Sequence, residues 1–247
     1  MLETVFISDL HLHPQRHDLL NKFHSFIDSA SGHNIASIYI LGDLFHAWAG
    51  DDCIDAWHIN IADQFKELSQ QGIKLYFMPG NRDFLLGDKF AAYSNLQLLN
   101  DPTLIKLGDE DILLAHGDKY CLLDKSHQKF RLLTRNRIFT NLFLRLPRKL
   151  RLNIVMRIRK ISANANQHTP KYNCDVVPAA LITELFNYNS RTIIHGHTHI
   201  PGLTSHLDNV IEYRQFVLSD WDDHPQILCY NRAIGFQFKT ATLIKSI

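Results

Sequence analysis

The chain has 247 residues, 45% of them hydrophobic and 21% charged, with a formal net charge of +1. That composition suits a globular chain with a substantial core, as one α/β domain with insertions or two small domains. No apolar run reaches the roughly 18 residues a membrane span needs, and the start MLETVFISDLHLH has neither a basic n-region nor a long apolar h-region, so neither a span nor a secretory leader is expected.

Taken in chain order, apolar runs at 5–7 (VFI), 38–41 (IYIL), 75–78 (LYFM), 112–115 (ILLA) and 192–194 (TII) predict buried strands. Helix-like stretches over 17–30 and 53–70 separate the first three. Runs at 216–219 (FVLS), 227–230 (ILCY) and 235–239 (GFQFK) have hairpin-like spacing. The alternation predicts an α/β fold with an added antiparallel portion. Residues 126–165 break this rhythm and predict two or three helices, interrupted at Pro147. There Leu150, Ile154, Ile158 and Ile161 recur at helical spacing, crowded by Arg148, Lys149, Arg151, Arg157, Arg159 and Lys160. The expected organisation is a core of 1–121 and 170–247 carrying a helical cap insertion over 122–169. No internal repeat or low-complexity tract is present.

The near-zero net charge hides a lopsided distribution. Residues 125–174 hold 13 Lys/Arg and no acid, whereas the remainder carries 13 Lys/Arg against 25 acids, a net −12. Such a basic segment is a candidate for an anionic partner: a membrane surface, nucleic acid or a phosphorylated substrate. Cys53, Cys121, Cys174 and Cys229 are widely spaced and form no CxxC pair, which favours free thiols in a reducing compartment.

Each early strand is followed by residues that can bind metal. The first gives Asp9 and His11 (ISDLHLH), the second Asp43 (LGDLFHAWAGDD) and the third Asn81, Arg82 and Asp83 (MPGNRDF). The fourth gives His116 and Asp118 (AHGD), and the last gives His195, His197 and His199 (IIHGHTHIP). Singly, Asp or Asn after a strand is an ordinary turn former or helix cap, and a lone His is most often a satisfied core residue. Five strand ends in succession are another matter, because open α/β sheets bind ligands outside the carboxyl ends of their strands. Asp9, His11, Asp43, Asn81, His116, His197 and His199 suffice for two metals sharing one carboxylate. Their mix of imidazole, carboxylate and amide suits Mn²⁺, Fe²⁺, Zn²⁺ or Co²⁺ better than Mg²⁺ alone. Two such ions about 3.5–4 Å apart are equipment for hydrolysing phosphate esters or anhydrides.

The ordered set DLH, GD, GN, HGD and GHTH resembles the calcineurin-like metallophosphoesterases over roughly residues 5–200. The resemblance implies a β-sandwich flanked by helices, with a dinuclear centre. One metal would take Asp9, His11, Asp43 and His199. The other would take Asp43 as the bridge, Asn81, His116 and His197, leaving His195 structural. Where most of that superfamily has GNH, this chain has GNRD, and Arg82 cannot serve as a proton donor but can bind phosphate oxygens. GNRDFLLG, LGDLFHAWAGDD and the basic cap resemble one branch, the UDP-2,3-diacylglucosamine pyrophosphatases of lipid A biosynthesis. That branch implies water attack at the α-phosphorus, giving UMP and 2,3-diacylglucosamine 1-phosphate (lipid X), usually with two Mn²⁺. Asn81 and Arg82 would be catalytic, and Asn81, Arg82, Asp124, Ser162, Asn166 and His197 would bind substrate. The family's cap Lys is replaced by Thr169, with Lys171 two residues on.

The implied partners are the UDP-linked glycolipid and the anionic cytoplasmic face of the bacterial inner membrane, with no nucleic acid and no obligate protein partner. Trp48, Asp51 and Asp52 are expected to shape the loop after Asp43. The alternatives are a superfamily phosphodiesterase acting on nucleotides or nucleic acid, and a scaffold that has lost its chemistry.

Overall fold

The computed structural model describes residues 3–168 and 175–241, the side chains of 163–168 excepted. The first half of the chain alternates strand and helix: β1 (Glu3–Ile7), α1 (His17–Ser31), β2 (Ile35–Leu41), α2 (Ala56–Gln70), β3 (Lys74–Met78), α3 (Asp88–Ser94) and β4 (Leu96–Leu98). β1 to β4 pair in parallel. A parallel strand covered on both faces needs an apolar residue at every position, and Val5, Phe6 and Ile7 are all buried. Val5 and Ile7 face α1 and α2, where Leu19, Phe23, Phe26 and Phe65 pack at helical spacing. Phe6, between them, faces the other way.

A second sheet provides the layer that Phe6 meets. It is built from β5 (Thr103–Leu107), β6 (Glu110–Ala115), β7 (Thr192–His195), β8 (Gly202–Asp208) and β9 (Ile211–Val217), in the order β5-β6-β7-β9-β8. β10 (Gln226–Asn231) and β11 (Gly235–Thr240) return to the first sheet, giving β11-β10-β1-β2-β3-β4. Phe6, Leu41 and Met78 of one sheet pack on Leu114, Ile194 and Phe216 of the other. Deleting one such ring costs about 3–5 kcal/mol. The result is the β-sandwich flanked by helices that the motifs imply.

The structure departs from the expectation in two respects. The run at 216–219 is no hairpin partner of 227–230: β9 ends at Val217, pairs in parallel with β7 and antiparallel with β8, and lies in the other sheet. Only β10 and β11 form the expected hairpin, and β10 lies antiparallel to β1. β4, β5, β8 and α3 carried no apolar run or helical stretch in the reading. β4 spans three residues, and β8 is an edge strand with almost no buried side chain.

Between β6 and β7 lie α4 (Lys125–Thr134), α5 (Arg137–Leu144), α6 (Arg148–His168) and α7 (Pro178–Asn187). Asp124 caps α4 by accepting the His127 N–H at 2.9 Å, and Asn136 caps α5 from Ile138 N–H at 2.9 Å. α6 starts directly after Pro147. α7 returns to the core, where Leu181 and Leu185 pack on Leu113 and Ile193. α5 buries no residue fully. Arginines tie α4–α6 to the core. Arg151 pairs with Asp52 and donates to the Ala49 carbonyl; Arg148 reaches Asp55 at 2.8 Å. Arg131 reaches Asp118 at 3.1 Å and Asp101 at 3.4 Å, and Arg135 donates to the Pro79 carbonyl at 3.0 Å. Part of the basic excess is therefore spent on the chain's own acidic body, and only the remainder faces solvent.

Among the described residues no helix is long and apolar enough to cross a membrane. Cys53 and Cys229 form no disulfide among the described residues. Cys174, Thr169, Lys171 and the Asn166 side chain lie outside the described residues.

Candidate metal centre

Parallel pairing brings the carboxyl ends of β1, β2, β3, β6 and β7 to one edge of the sandwich, and the loops that leave them carry the predicted ligands. Five of these residues hold a left-handed backbone: Asp9 (φ 56°), His11 (50°), Asp43 (55°), His197 (69°) and His199 (58°). Asp, Asn and His tolerate that region best among side-chain-bearing residues, and such strained positions cluster at functional sites. Gly80 and Gly196 make the close approach possible. A Cβ at Gly80 would overlap the Asp43 carboxylate, and one at Gly196 would overlap the Asp9 carboxylate and the Ser8 hydroxyl.

The polar atoms converge in two clusters. In one, His199 Nε2 lies 3.2 Å from Asp9 Oδ1 and 3.4 Å from His11 Nε2. In the other, Asn81 Oδ1 lies 2.9 Å from His116 Nε2 and 3.1 Å from His197 Nδ1. Asp43 stands between them, with Oδ2 3.8 Å from His11 Nδ1 and Oδ1 3.8 Å from His116 Nε2. Asp9, His11 and His199 form one group with ligand atoms within 4.8 Å of one another, and Asp9, Asp43 and His116 form a second. Asp9 thus lies within reach of both, where the resemblance assigned it to one. All seven predicted ligands are brought together.

Hydrogen bonds behind the clusters fix their orientation. The Leu41 carbonyl accepts from His116 Nδ1 at 2.9 Å, so Nε2 faces the site. Asp220 holds His199 Nδ1 at 3.3 Å and turns its Nε2 inward. Asp9 Oδ2 accepts the Ser8 hydroxyl at 2.5 Å and the His197 N–H at 2.9 Å. The fully buried Asp83 accepts N–H bonds from Gly80 (2.8 Å), Asp43 and Phe45 (both 3.2 Å), locking the loops after β2 and β3 together. Sequence reasoning missed Asp220, which stands outside every motif. It named Asp83 and Asp118 only as strand-end residues. Asp118 turns instead to Arg131 and His127. His195 is structural: it is fully buried, with Nδ1 on the Gly196 carbonyl at 2.8 Å and Nε2 accepting from Gln215 at 2.8 Å.

The electrostatics call for cations. Burial by itself would raise the Asp9 carboxyl, yet the His199, His116 and His11 imidazoles outweigh it and hold Asp9 well below the usual carboxylate range. Burial opposes charge on His116, but the Asp43, Asp118 and Asp9 carboxylates lift it to about 9. Asp9 and Asp220 likewise overcome burial at His199, which rises to about 10. Burial and the Arg82 guanidinium hold His11 well below its ordinary value, and burial does the same to His197. His11 Nδ1 is buried with no hydrogen-bond partner among the described residues. Buried carboxylates, inward-turned imidazoles and an orphaned ring nitrogen form a donor set that fits divalent transition ions. Binding them would expel the protons that His116 and His199 hold.

A cavity of 370 Å³ lies between this centre and α4–α6. Asn81, Arg82 and His197 line its core side, and Asp124, Arg159 and Ser162 line the helical side. An apolar annex of 200 Å³ continues from it between Phe84, Phe139, Phe143, Ile154 and Val155. Arg82 Nε is 3.4 Å from Asp43 Oδ2, and its backbone N–H donates to Asp43 Oδ1 at 2.8 Å. Arg159, a cap residue to which sequence reasoning gave no role at the site, has no ion pair with a carboxylate among the described residues. Burial and Arg82 lower its pKa. Trp48 and Asp51 do shape the loop after Asp43. The Asp51 carboxylate accepts from Trp48 Nε1 at 3.0 Å and from the first N–H groups of α3.

Comparison with known proteins agrees with this geometry. The family model "Calcineurin-like phosphoesterase" matches residues 2–201. The chain is 42% identical over 228 residues to the UDP-2,3-diacylglucosamine hydrolase of Aeromonas hydrophila, covering 92% of this chain and 94% of that protein. It is 38% identical to the one from Aromatoleum aromaticum, over 94% of each chain. The Vibrio cholerae protein of the same name is 35% identical, over 98% of this chain and 99% of its own. Seven converging candidate ligands on a two-sheet sandwich and these full-length matches lead to one conclusion: the chain belongs to the calcineurin-like phosphoesterase family and, within it, to the family of UDP-2,3-diacylglucosamine hydrolases.

Proposed function

We propose that this protein hydrolyses the diphosphate of UDP-2,3-diacylglucosamine by water attack at the α-phosphorus. The products are UMP and 2,3-diacylglucosamine 1-phosphate, and the reaction is a step of lipid A biosynthesis. The observation that carries this reading is a metal centre opening into a polar cavity that ends in an apolar annex, the shape a phosphorylated, doubly acylated sugar requires. Asp9, His11, Asp43 and His199 would hold one divalent cation, and Asp43, Asn81, His116 and His197 a second, with manganese as the preferred ion. Such a pair, when bound, would supply Lewis acidity toward a phosphoryl oxygen and would lower the pKa of water.

The chain's own residues do the rest. The Arg82 guanidinium neutralises charge that builds on the phosphoryl oxygens. The amide nitrogen of Asn81 makes no hydrogen bond to the protein among the described residues and is available to a phosphate oxygen. Asp124 and Ser162 meet the sugar, and Asn166 is proposed to do so from the same helix as Ser162. The Phe84, Phe139 and Phe143 rings receive acyl chains and exclude water. Exposed Leu132 (75%), Ile138 (72%) and Ile161 (68%), interleaved with Lys129, Arg137 and Lys160, suit a peripheral seat on the anionic cytoplasmic face of the inner membrane.

The test is a product assay with Mn²⁺, the glycolipid in mild detergent and ¹⁸O-labelled water. Labelled UMP with unlabelled 2,3-diacylglucosamine 1-phosphate is the expected outcome. Turnover of soluble phosphodiesters but not of the glycolipid would remove the lipid reading and leave a general metallophosphodiesterase.

A further inference from the structure

A second cavity, of 330 Å³, lies on the other flank of the ligand clusters. The cavity described above lies against Asn81 and His197, whereas this one lies against Asp9 and His11. Arg82 and His199 wall both. Among the described residues none of α4–α6 contributes to the second cavity. Its outer wall comes from the loops after β1, β2 and β9: His13, Arg16, His46, Trp221 and Asp222.

A substrate cleaved at a diphosphate has two halves that diverge from the reacting phosphorus. In-line displacement sets the entering water opposite the leaving oxygen, so the nucleoside stays on the attacked phosphorus as a lateral substituent and needs room apart from the leaving half. Two cavities meeting at the candidate metal ligands give each half its own room, and their chemistry assigns the halves. Acyl chains need an apolar wall, which the first cavity has in its phenylalanine annex. The second cavity is lined mainly by polar and aromatic side chains. The His13 and His46 rings meet edge to face at 5.4 Å, giving flat surfaces on which a base can stack. Trp221 Nε1 is buried without a hydrogen-bond partner among the described residues, a donor in want of an acceptor such as a base carbonyl. Arg16, held by Asp18 at 2.7 Å and by Asp222 at 2.9 Å, braces the rim.

We propose that this second cavity binds the nucleoside monophosphate half of the substrate, so that the diphosphate spans Arg82 and His199. The inference rests on the hydrolase reading above and adds a nucleotide subsite to it.

The test uses the full, metal-loaded chain. UMP and 2,3-diacylglucosamine 1-phosphate are each titrated calorimetrically, and each is assayed as a product inhibitor. His13→Ala and Trp221→Phe are compared with Phe143→Ala in the apolar annex. His13 is half-buried and Trp221→Phe keeps a ring, so one folded variant of the pair is enough. The expected result is a double dissociation. The first two variants weaken UMP about tenfold, equivalent to about 1.4 kcal/mol, and leave the lipid product unchanged; Phe143→Ala does the reverse. Unchanged UMP affinity in a folded His13→Ala or Trp221→Phe protein that still turns over the glycolipid would overturn the subsite and leave the hydrolase reading standing. UMP weakened only by Phe143→Ala would place the nucleotide in the first cavity and also overturn it. A wild-type enzyme that neither cleaves the glycolipid nor binds UMP would remove both.

Discussion

At Asp43 one carboxylate faces both ligand clusters while its Oδ1 also accepts the Arg82 backbone N–H. Because that bond belongs to the backbone, Arg82→Ala removes the guanidinium and leaves Asp43 in place. The expected outcome is a fall in kcat of about 10²–10³-fold with metal content by elemental analysis unchanged. Parallel loss of metal and activity would instead make the side chain a support for Asp43. His58 shows the same logic away from the centre. Packed against Trp57, Trp48 and Phe45 and accepting the Asp55 N–H at 3.1 Å, its imidazole is pushed by burial down to about 4. The unfolded chain, in which His titrates near 6.5, binds the proton more readily. Stability from the neutral ring is therefore complete above pH 6.5 and is lost as pH falls toward 4. The loss is worth about 2–3 kcal/mol. Urea unfolding at pH 7 and pH 4.5 should show a smaller acid loss in His58→Gln than in the wild type.

At the scale of elements, Arg151 is the buried anchor of α6. Arg151 is only 2% exposed on its side chain, pairs with Asp52 and donates to the carbonyls of Ala49 and Leu146. Arg151→Ala should cost about 2 kcal/mol and, because α6 lines both the polar cavity and its annex, raise KM for the glycolipid more than it lowers kcat. A purely local role would lower stability with KM unchanged, so unfolding and steady-state kinetics together decide. The elements that were legible in the sequence were those with a one-sided or fully apolar pattern: β1, β2, β3, β6, β7, β10, β11, α1 and α2, together with the helices expected between 126 and 165. β8 was not, because an exposed edge strand buries too little to mark its residues. The partner of β9 was not legible either, since spacing along the chain reports neighbours in sequence and β9 pairs across a crossover with β7.

Across the whole molecule, the basic segment and the acidic body are partly each other's partners, through Arg131, Arg135, Arg148 and Arg151. Lys129, Arg137, Lys149, Arg157 and Lys160 stay exposed beside Leu132, Ile138 and Ile161. Vesicle sedimentation should therefore show binding to phosphatidylglycerol-containing bilayers that weakens with salt and with each Lys→Glu change at 129, 149 or 160. Each lost charge is worth about 1 kcal/mol. Equal binding to neutral vesicles would assign the attachment to the leucine and isoleucine side chains alone.

The convergence of the seven candidate metal ligands, the strand ends that carry them and the helices between β6 and β7 could be read from the sequence, because ligand chemistry is written in residue types and parallel strands force their carboxyl ends together. The shared reach of Asp9, the orientation of His199 by Asp220, the closure of the loops by Asp83 and the second cavity could not. These depend on contacts between residues far apart in the chain, such as Asp9 and His199, whose distance is set by how the two sheets pack. Tertiary packing also decided which arginines were anchors and which remained free, since a charge run looks the same in sequence whether its partner is the molecule's own surface or an external one.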